Sequence, residues 1–182
     1  MTLEAYAREP AFRDKVMAQN CSLAVGPHVT LLFEDELTVR YQIQEMLRIE
    51  KIFEQAGIEE ELASYNPLIP TGREFKATMM IEFTDVEQRR RELARMRGIE
   101  DRVWVQVEGA DKVFAIADED LPRENEEKTS AVHFLRFPLT EDMAAALKYG
   151  VALHVGVSHD AYSATVSPVP AALRDSLVGD LS

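Results

Sequence analysis

The sequence predicts an α+β fold, with a mainly antiparallel sheet packed by a long buried helix and several shorter helices. Two observations support this class. The strand-like segments come partly in adjacent pairs joined by glycine turns, whereas parallel sheets need a helix between strands. Residues 38–57, "TVRYQIQEMLRIEKIFEQAG", also carry apolar side chains around most of a helical circumference. With 182 residues and 46% hydrophobic content, the chain is expected to form one domain over 1–182, with mobile ends at 1–3 and 179–182.

The first elements follow from turn signals and alternation. A short helix is predicted in "EPAFRDKVMAQN", and two strands in "CSLAV" and "HVTLLFE", separated by the Gly26-Pro27 turn. The acidic triplet 34–36 then precedes the long helix, which Gly57 is expected to end. A second helical segment, "EEELASY", leads into "YNPLIPTG", where Pro67 and Pro70 predict an extended, kinked connection. The sequence does not determine whether the bond before Pro67 is cis or trans.

The remaining elements alternate between strands and helices. "REFKATMMIEF" alternates apolar and polar residues as a half-buried strand does, and "DVEQRRRELARMR" predicts an exposed helix closed by Gly98. "DRVWVQVEG" and "KVFAIAD" predict a strand pair joined around Gly109, followed by the acidic loop "DEDLPRENEEK". The final segments predict strands in "SAVHFLRF" and "VALHVGV", a helix in "TEDMAAALKYG" and a last helix in "VPAALRDSLVG".

Three polar residues of the long helix are predicted to point inward. At about 100° per residue, Gln42 falls near the middle of the apolar arc, with Glu45 and Glu50 towards its two sides. A buried carboxylate needs an arginine, a metal ion or hydrogen-bond donors, because its desolvation is otherwise too costly. Three interpretations remain open for these residues: a structural network of hydrogen bonds or ion pairs, a metal or ligand site, or a helix face that is exposed to solvent.

The histidines and one arginine supply candidate partners. Both faces of "SAVHFLRF" are apolar with one polar residue each, so His133 and Arg136 are expected inside the protein. His154 has the small neighbours Ala152 and Gly156 on its face, which predicts room above the strand for a ligand or another backbone. If histidines such as His28 and His133 converge with Glu45 or Glu50, the resulting N/O site suits iron, manganese or zinc. A lone histidine is more often structural.

The net charge limits the classes of partner that the chain is expected to bind. A net charge of -12 disfavours nucleic acid unless the few cations cluster, and it disfavours anionic membranes. Cys21 is the one cysteine, so no intramolecular disulfide forms, and no apolar stretch resembles a signal peptide or a membrane span. The chain is therefore expected to be soluble and cytoplasmic.

Four long strings resemble a family of bacterial proteins known only as a domain of unknown function: "GPHVTLLFEDELTVRYQIQEMLRIEKIFE", "YNPLIP", "GIEDRVWVQV" and "EEKTSAVHFLRF". The resemblance covers residues 3–162. It implies no established reaction. Genes of this family often lie near genes for rubrerythrin-like di-iron proteins and iron-sulfur oxidoreductases, which implies an accessory role in redox or peroxide metabolism, with a redox protein as partner.

Two interpretations follow. The first is a metal- or small-ligand-binding accessory protein, with Glu45, Glu50, His28 and His133 as metal ligands and with Gln42, Arg136 and His154 in support. The second is a non-enzymatic, homo-oligomeric or partner-docking module whose inward polar residues are structural. The sequence contains no motif that assigns an enzymatic reaction.

Overall fold

The computed structural model describes residues 21–117 and 129–182. These residues form five α-helices and nine strands in two antiparallel sheets, which confirms the α+β class. The predicted helix of residues 9–20 and the predicted acidic loop of 118–128 lie outside the described residues. The chain divides into two compact units, here called the helical unit, described over Glu34–Pro70, and the sheet unit, which comprises Cys21–Phe33 and Thr71–Ser182.

The sheet unit contains both sheets. The first has the order β1 (Ser22–Ala24), β2 (Val29–Glu34), β3 (Glu74–Ile81), β7 (Val132–Pro138) and β6 (Ile116–Ala117). The second has the order β5 (Val113–Phe114), β4 (Val103–Val107), β8 (Leu153–His159) and β9 (Tyr162–Val166). The predicted strands within the described residues are present, except that "KVFAIAD" forms two short strands: β5 pairs with β4 as predicted, whereas β6 pairs with β7 in the first sheet. The sequence reading did not single out β9, which pairs antiparallel with β8.

Alternating apolar residues build one core from both sheets. On β3 the odd-numbered residues are buried, and on β4 and β8 the valines and Leu153 face the same interior. The side chains that lose almost all solvent contact include Leu31, Phe75, Met79, Phe137, Leu153 and Val155. Burial of this kind contributes roughly 25 cal/mol per Å² of apolar surface, so this cluster dominates the stability of the unit.

Three helices belong to the sheet unit: α3 (Val86–Arg95), α4 (Glu141–Lys148) and α5 (Ala171–Gly179). Thr140 caps α4 by accepting a hydrogen bond from the Met143 N–H, and Gly98 and Gly150 adopt positive φ after α3 and α4, as predicted for helix stops. At the chain end, Leu181 is buried and the Ser182 N–H donates to the Gly72 carbonyl over 2.9 Å.

Over its described residues, Glu34–Pro70, the helical unit contains α1 (Glu36–Glu50), α2 (Gln55–Tyr65) and the 3-10 turn Asn66–Leu68. Its buried cluster is Val39, Ile43 and Leu47, with partly buried side chains from α2 and the following turn packed against it. Asp35 caps α1 in a capping box with Thr38. The Asn66–Pro67 bond is trans, since the cis bond of the described chain is Ser167–Pro168.

The end of α1 differs from the prediction. The helix stops at Lys51, whose left-handed backbone has φ 56°, and the N–H groups of Lys51 and Ile52 both donate to the Leu47 carbonyl. Gly57 lies inside α2. A Cβ there would come within 2.6 Å of the Ile52 side chain, so this glycine allows a close approach and does not end a helix.

The connection after α2 also differs in part. Pro67 sits within the 3-10 turn, a position where its fixed φ is tolerated, and the chain becomes extended only from Ile69. Of the described helices, none is long and apolar enough to cross a bilayer.

Candidate functional site

Of the three polar residues of α1 that were predicted to point inward, one is half-buried and two are exposed. Glu45 is half-buried, and its carboxylate accepts hydrogen bonds from Arg48 Nη2 at 2.7 Å and Nε at 3.4 Å. Gln42 and Glu50 are exposed to solvent. The predicted inward orientation is therefore wrong for Gln42 and Glu50, because α1 buries a narrower arc than its apolar residues suggest.

His28, His154 and Arg136 belong to the sheet unit and have separate neighbours. The His28 ring stacks on Phe83 with centroids 4.1 Å apart, and His154 Nδ1 lies 2.8 Å from the Ser167 hydroxyl. Arg136 is exposed on β7, opposite Lys76 on one side and Ile116 on the other. The inward position predicted for Arg136 is wrong, because its strand face is not covered at this residue.

The room predicted above His154 is filled by Trp104. Trp104 lies opposite Gly156 in the β4–β8 pair, and a Cβ on Gly156 would come within 2.3 Å of the indole. The indole N–H donates to Ser158 Oγ over 2.8 Å, and Lys112 Nζ sits 3.7 Å above the ring. The glycine therefore accommodates an aromatic neighbour on this face of β8.

His133 lies in a cluster of buried polar side chains. His133, Glu100 and Thr129 are 2%, 8% and 1% exposed. Thr129 Oγ1 lies 3.0 Å from His133 Nε2 and 3.3 Å from Glu100 Oε2, and the direct Nε2–Oε2 distance is 3.9 Å. We call Glu100, Thr129 and His133 the buried triad. It is the candidate site that the described residues bring together.

Three different elements position the triad. β7 carries His133 opposite Met79 of β3, so the imidazole lies on the core face of the first sheet. Glu100 belongs to the 3-10 turn Ile99–Arg102, which leads directly into β4. Thr129 is held in place by its backbone, whose N–H donates to the Leu93 carbonyl of α3 over 3.3 Å.

The hydrogen bonds show which atoms of the triad donate a proton and which accept one. His133 Nε2 also lies 3.0 Å from the Ser130 carbonyl, which can only accept, so Nε2 carries a proton. The Thr129 hydroxyl then accepts from Nε2 and donates to the Glu100 carboxylate. In this arrangement the imidazole cannot act as the base that activates Thr129. The triad instead places a proton donor near a buried carboxylate.

The predicted metal ligands are not assembled within the described chain. Across residues 21–117 and 129–182, no three histidine, cysteine, aspartate or glutamate side chains are grouped so as to bind a metal ion. His133 and Glu100 provide one nitrogen and one oxygen donor. Glu45 and Glu50 lie on α1 of the helical unit, and His28 is stacked against Phe83.

Two members of the triad were missed by the sequence reading. Glu100 follows Ile99 in a short turn, and Thr129 precedes β7, so neither lies on a periodic element whose buried face can be counted. The available signal was His133 on a strand with two apolar faces, which requires some polar partner.

The sheet unit also has an open cleft of about 470 Å³ between the β4–β5 turn and the start of α4. Val107, Ala110 and Met143 form apolar parts of its lining, and the carboxylates are Glu108, Asp111 and Asp142. The cleft shares no residue with the triad.

The fold and the site define an α+β protein with two antiparallel sheets and an internal carboxylate–hydroxyl–imidazole group. The chain belongs to the DUF3501 family of proteins of unknown function, whose profile matches residues 1–181. It is similar to a novel protein of unknown function from Burkholderia pseudomallei, whose crystal structure matches with a TM-score of 0.93 and 49% identity over 100% of this chain and 96% of that chain. No curated protein gives a significant match. The resemblance to an uncharacterised family is confirmed.

Proposed function

We propose that this protein is a non-enzymatic docking module whose inward polar side chains stabilise its fold. The observation that supports this is the buried triad, in which the threonine hydroxyl links the imidazole to the carboxylate inside the core. A buried polar group linked to its own chain is typical of structural networks, since leaving a donor or acceptor unpaired costs about 1–3 kcal/mol.

The environments of the other candidate residues support the same role. The Glu45 carboxylate interacts with Arg48 of its own helix, and Gln42 and Glu50 face solvent. None of these arrangements supplies the open, convergent polar groups that substrate binding and general acid–base catalysis require.

A stability and composition experiment tests the proposal. Untagged protein, purified without chelator, is compared with Glu100→Gln and His133→Asn, and Glu45→Gln, which alters the half-buried carboxylate paired with Arg48 on α1, is the control. We expect both triad variants to lose stability, the control to keep it, and no sample to contain metal in fixed proportion. Iron, manganese or zinc near one per chain that is lost from the triad variants would contradict the proposal.

The docking part of the proposal is tested by molar mass. Size-exclusion chromatography with light scattering distinguishes a homo-oligomer of constant mass from a monomer. A homo-oligomer is the direct expectation. A strict monomer at all concentrations would restrict docking to a different protein.

A second candidate function is a metal-binding accessory in redox-related metabolism. The observation in its favour is that His133 Nε2 and Glu100 Oε2 lie 3.9 Å apart, and metal binding there requires Nε2 to lose the proton that it donates to the Ser130 carbonyl. The same elemental analysis tests it. Metal that is lost from Glu100→Gln but kept in Glu45→Gln would favour this second function.

A further inference from the structure

The outer face of α3 concentrates positive charge in an acidic chain. Residues 89–97 contain five arginines and no lysine, although the whole chain has a net charge of -12. Four of these arginines, Arg89, Arg90, Arg91 and Arg95, lie within the ten residues of α3, and Arg97 follows directly. All five are exposed. Five of the 20 lysines and arginines of the chain therefore lie within these nine residues.

The arginines of α3 are only partly neutralised. Glu92 is shared between two of them: its Oε1 lies 3.3 Å from Arg91 Nε, and its Oε2 lies 2.9 Å from Arg95 Nη1. Arg89 and Arg90 make no ion pair or side-chain hydrogen bond with any residue of 21–117 or 129–182. One carboxylate between two guanidinium groups, beside two unpaired ones, leaves net positive charge on this face.

The helix holds these side chains on a fixed support. Asp85 caps α3 by accepting a hydrogen bond from the Gln88 N–H over 2.6 Å. Leu93 and Met96 are buried in the core of the sheet unit, and the Leu93 carbonyl accepts a hydrogen bond from Thr129. Because the inner side of α3 is packed against the core, its backbone is already ordered. A partner that binds the outer side therefore loses little free energy to ordering the backbone.

We propose that the outer face of α3 binds a carboxylate-rich segment of a partner protein. This rests on the proposed docking function and names the chemistry of its partner. Arginine is suited to carboxylates because its planar guanidinium group donates two parallel hydrogen bonds. The unpaired Arg89 and Arg90 provide the first such groups.

Two features of the same face favour a protein over a nucleic acid. Val86 is 61% exposed beside the arginines, and Ala94 is exposed between them, so the face offers apolar contact as well as charge.

The experiment measures binding of a fluorescein-labelled poly-glutamate peptide to the full chain by fluorescence anisotropy, with labelled duplex DNA as the competing class. The test variant is Arg89→Glu with Arg90→Glu. The matched control is Arg40→Glu with Arg73→Glu, which makes the same charge change at exposed positions off α3. We expect the peptide affinity to fall at least about tenfold in the test variant, because charge-assisted hydrogen bonds are lost, and to fall by less in the control.

Three other results would each contradict the inference. Equal loss in the test and control variants would mean that the peptide senses only total charge. Tighter binding of DNA than of peptide would assign the face to nucleic acid. No binding by the wild-type chain, in a preparation that light scattering shows to be a homo-oligomer, would reject an acidic partner on α3 while leaving the docking function intact.

Discussion

The helical unit and the sheet unit are stabilised in different ways. In the sheet unit, neighbouring strands far apart in sequence bury their alternating side chains in one large core. Within residues 34–70 of the helical unit, the buried cluster consists of Val39, Ile43 and Leu47, and α2 contains no fully buried residue. Its helices depend more on local interactions at the helix ends, such as the capping box at Asp35 and the left-handed turn at Lys51.

The comparison implies that the same kind of substitution has different consequences in the two units. Where the surrounding core is large and rigid, deleting or adding atoms costs several kcal/mol. Where the side chains are half-exposed, neighbouring side chains and water can adjust to the change, so the free energy of unfolding changes less. Local unfolding should accordingly be easier in the helical unit than in the sheet unit.

The largest contrast is expected for a buried and an exposed phenylalanine. Phe137 is 0% exposed and Phe53 is 70% exposed. We expect Phe137→Ala to lower the free energy of unfolding by about 3–5 kcal/mol and Phe53→Ala by less than about 0.5 kcal/mol. Denaturant unfolding monitored by the single tryptophan, Trp104, measures the first effect directly. Equal losses in the two variants would show that Phe53 is covered in solution.

A second contrast uses one added methyl group. Gly156→Ala would place a Cβ against the Trp104 ring and 2.9 Å from the Ala164 carbonyl, so we expect a loss of about 1–3 kcal/mol. Gly57→Ala meets only the half-buried Ile52 side chain, and alanine is the better helix former, so the net change should stay within about 1 kcal/mol. Thermal denaturation of both variants measures the difference, and an equally large loss at Gly57 would contradict it.

The third contrast concerns carboxylates. Glu100→Gln should cost about 1–3 kcal/mol because it alters a buried hydrogen-bonded group, whereas Glu45→Gln should cost less than about 0.5 kcal/mol. Double-mutant cycles separate the pairs. We expect a coupling of about 0.5–3 kcal/mol between Glu100 and His133 and a smaller one between Glu45 and Arg48. A Glu100–His133 coupling near zero would mean that the triad does not act as one network.

The smallest contrast concerns helix caps. Asp35→Ala and Thr140→Ala each remove one capping acceptor, at an expected cost of about 1 kcal/mol. Hydrogen exchange should show the Asp35 effect as faster exchange within α1 alone, because the helical unit opens locally. The Thr140 effect should appear in global unfolding. Uniform acceleration across the chain in both variants would argue against independent opening.

The strands were predictable because period-two alternation reports burial directly. On β3 burial alternates with the apolar residues, and on β4 and β8 the alternating valines and Leu153 are buried, although Trp104 and Gly156 are also buried on the opposite face. Apolar periodicity on α1 was less informative, since it gives the phase of the helix but not the width of the arc that neighbours cover. Gln42 and Glu50 were misplaced for that reason, and the apolar Ile49 of the same helix is also exposed.

The candidate site was only partly predictable. His133 was expected to need a polar partner, and it has one. Its partners Glu100 and Thr129 come from non-periodic segments brought together by tertiary pairing, which no spacing in the sequence encodes. The same applies to Gly156, whose free space could be inferred but whose occupant, Trp104, is set by the register of β4 against β8.

The Tyr162 hydroxyl, on the last strand, donates to the Val25 carbonyl and accepts from the His28 N–H, at the turn between β1 and β2. The first of these bonds joins residues 137 positions apart. On the ribosome, the N-terminal hairpin is synthesised long before the tyrosine that fastens its turn. The turn between β1 and β2 therefore lacks this hydrogen bond until the chain has been synthesised beyond Tyr162, which makes its completion a late step in folding.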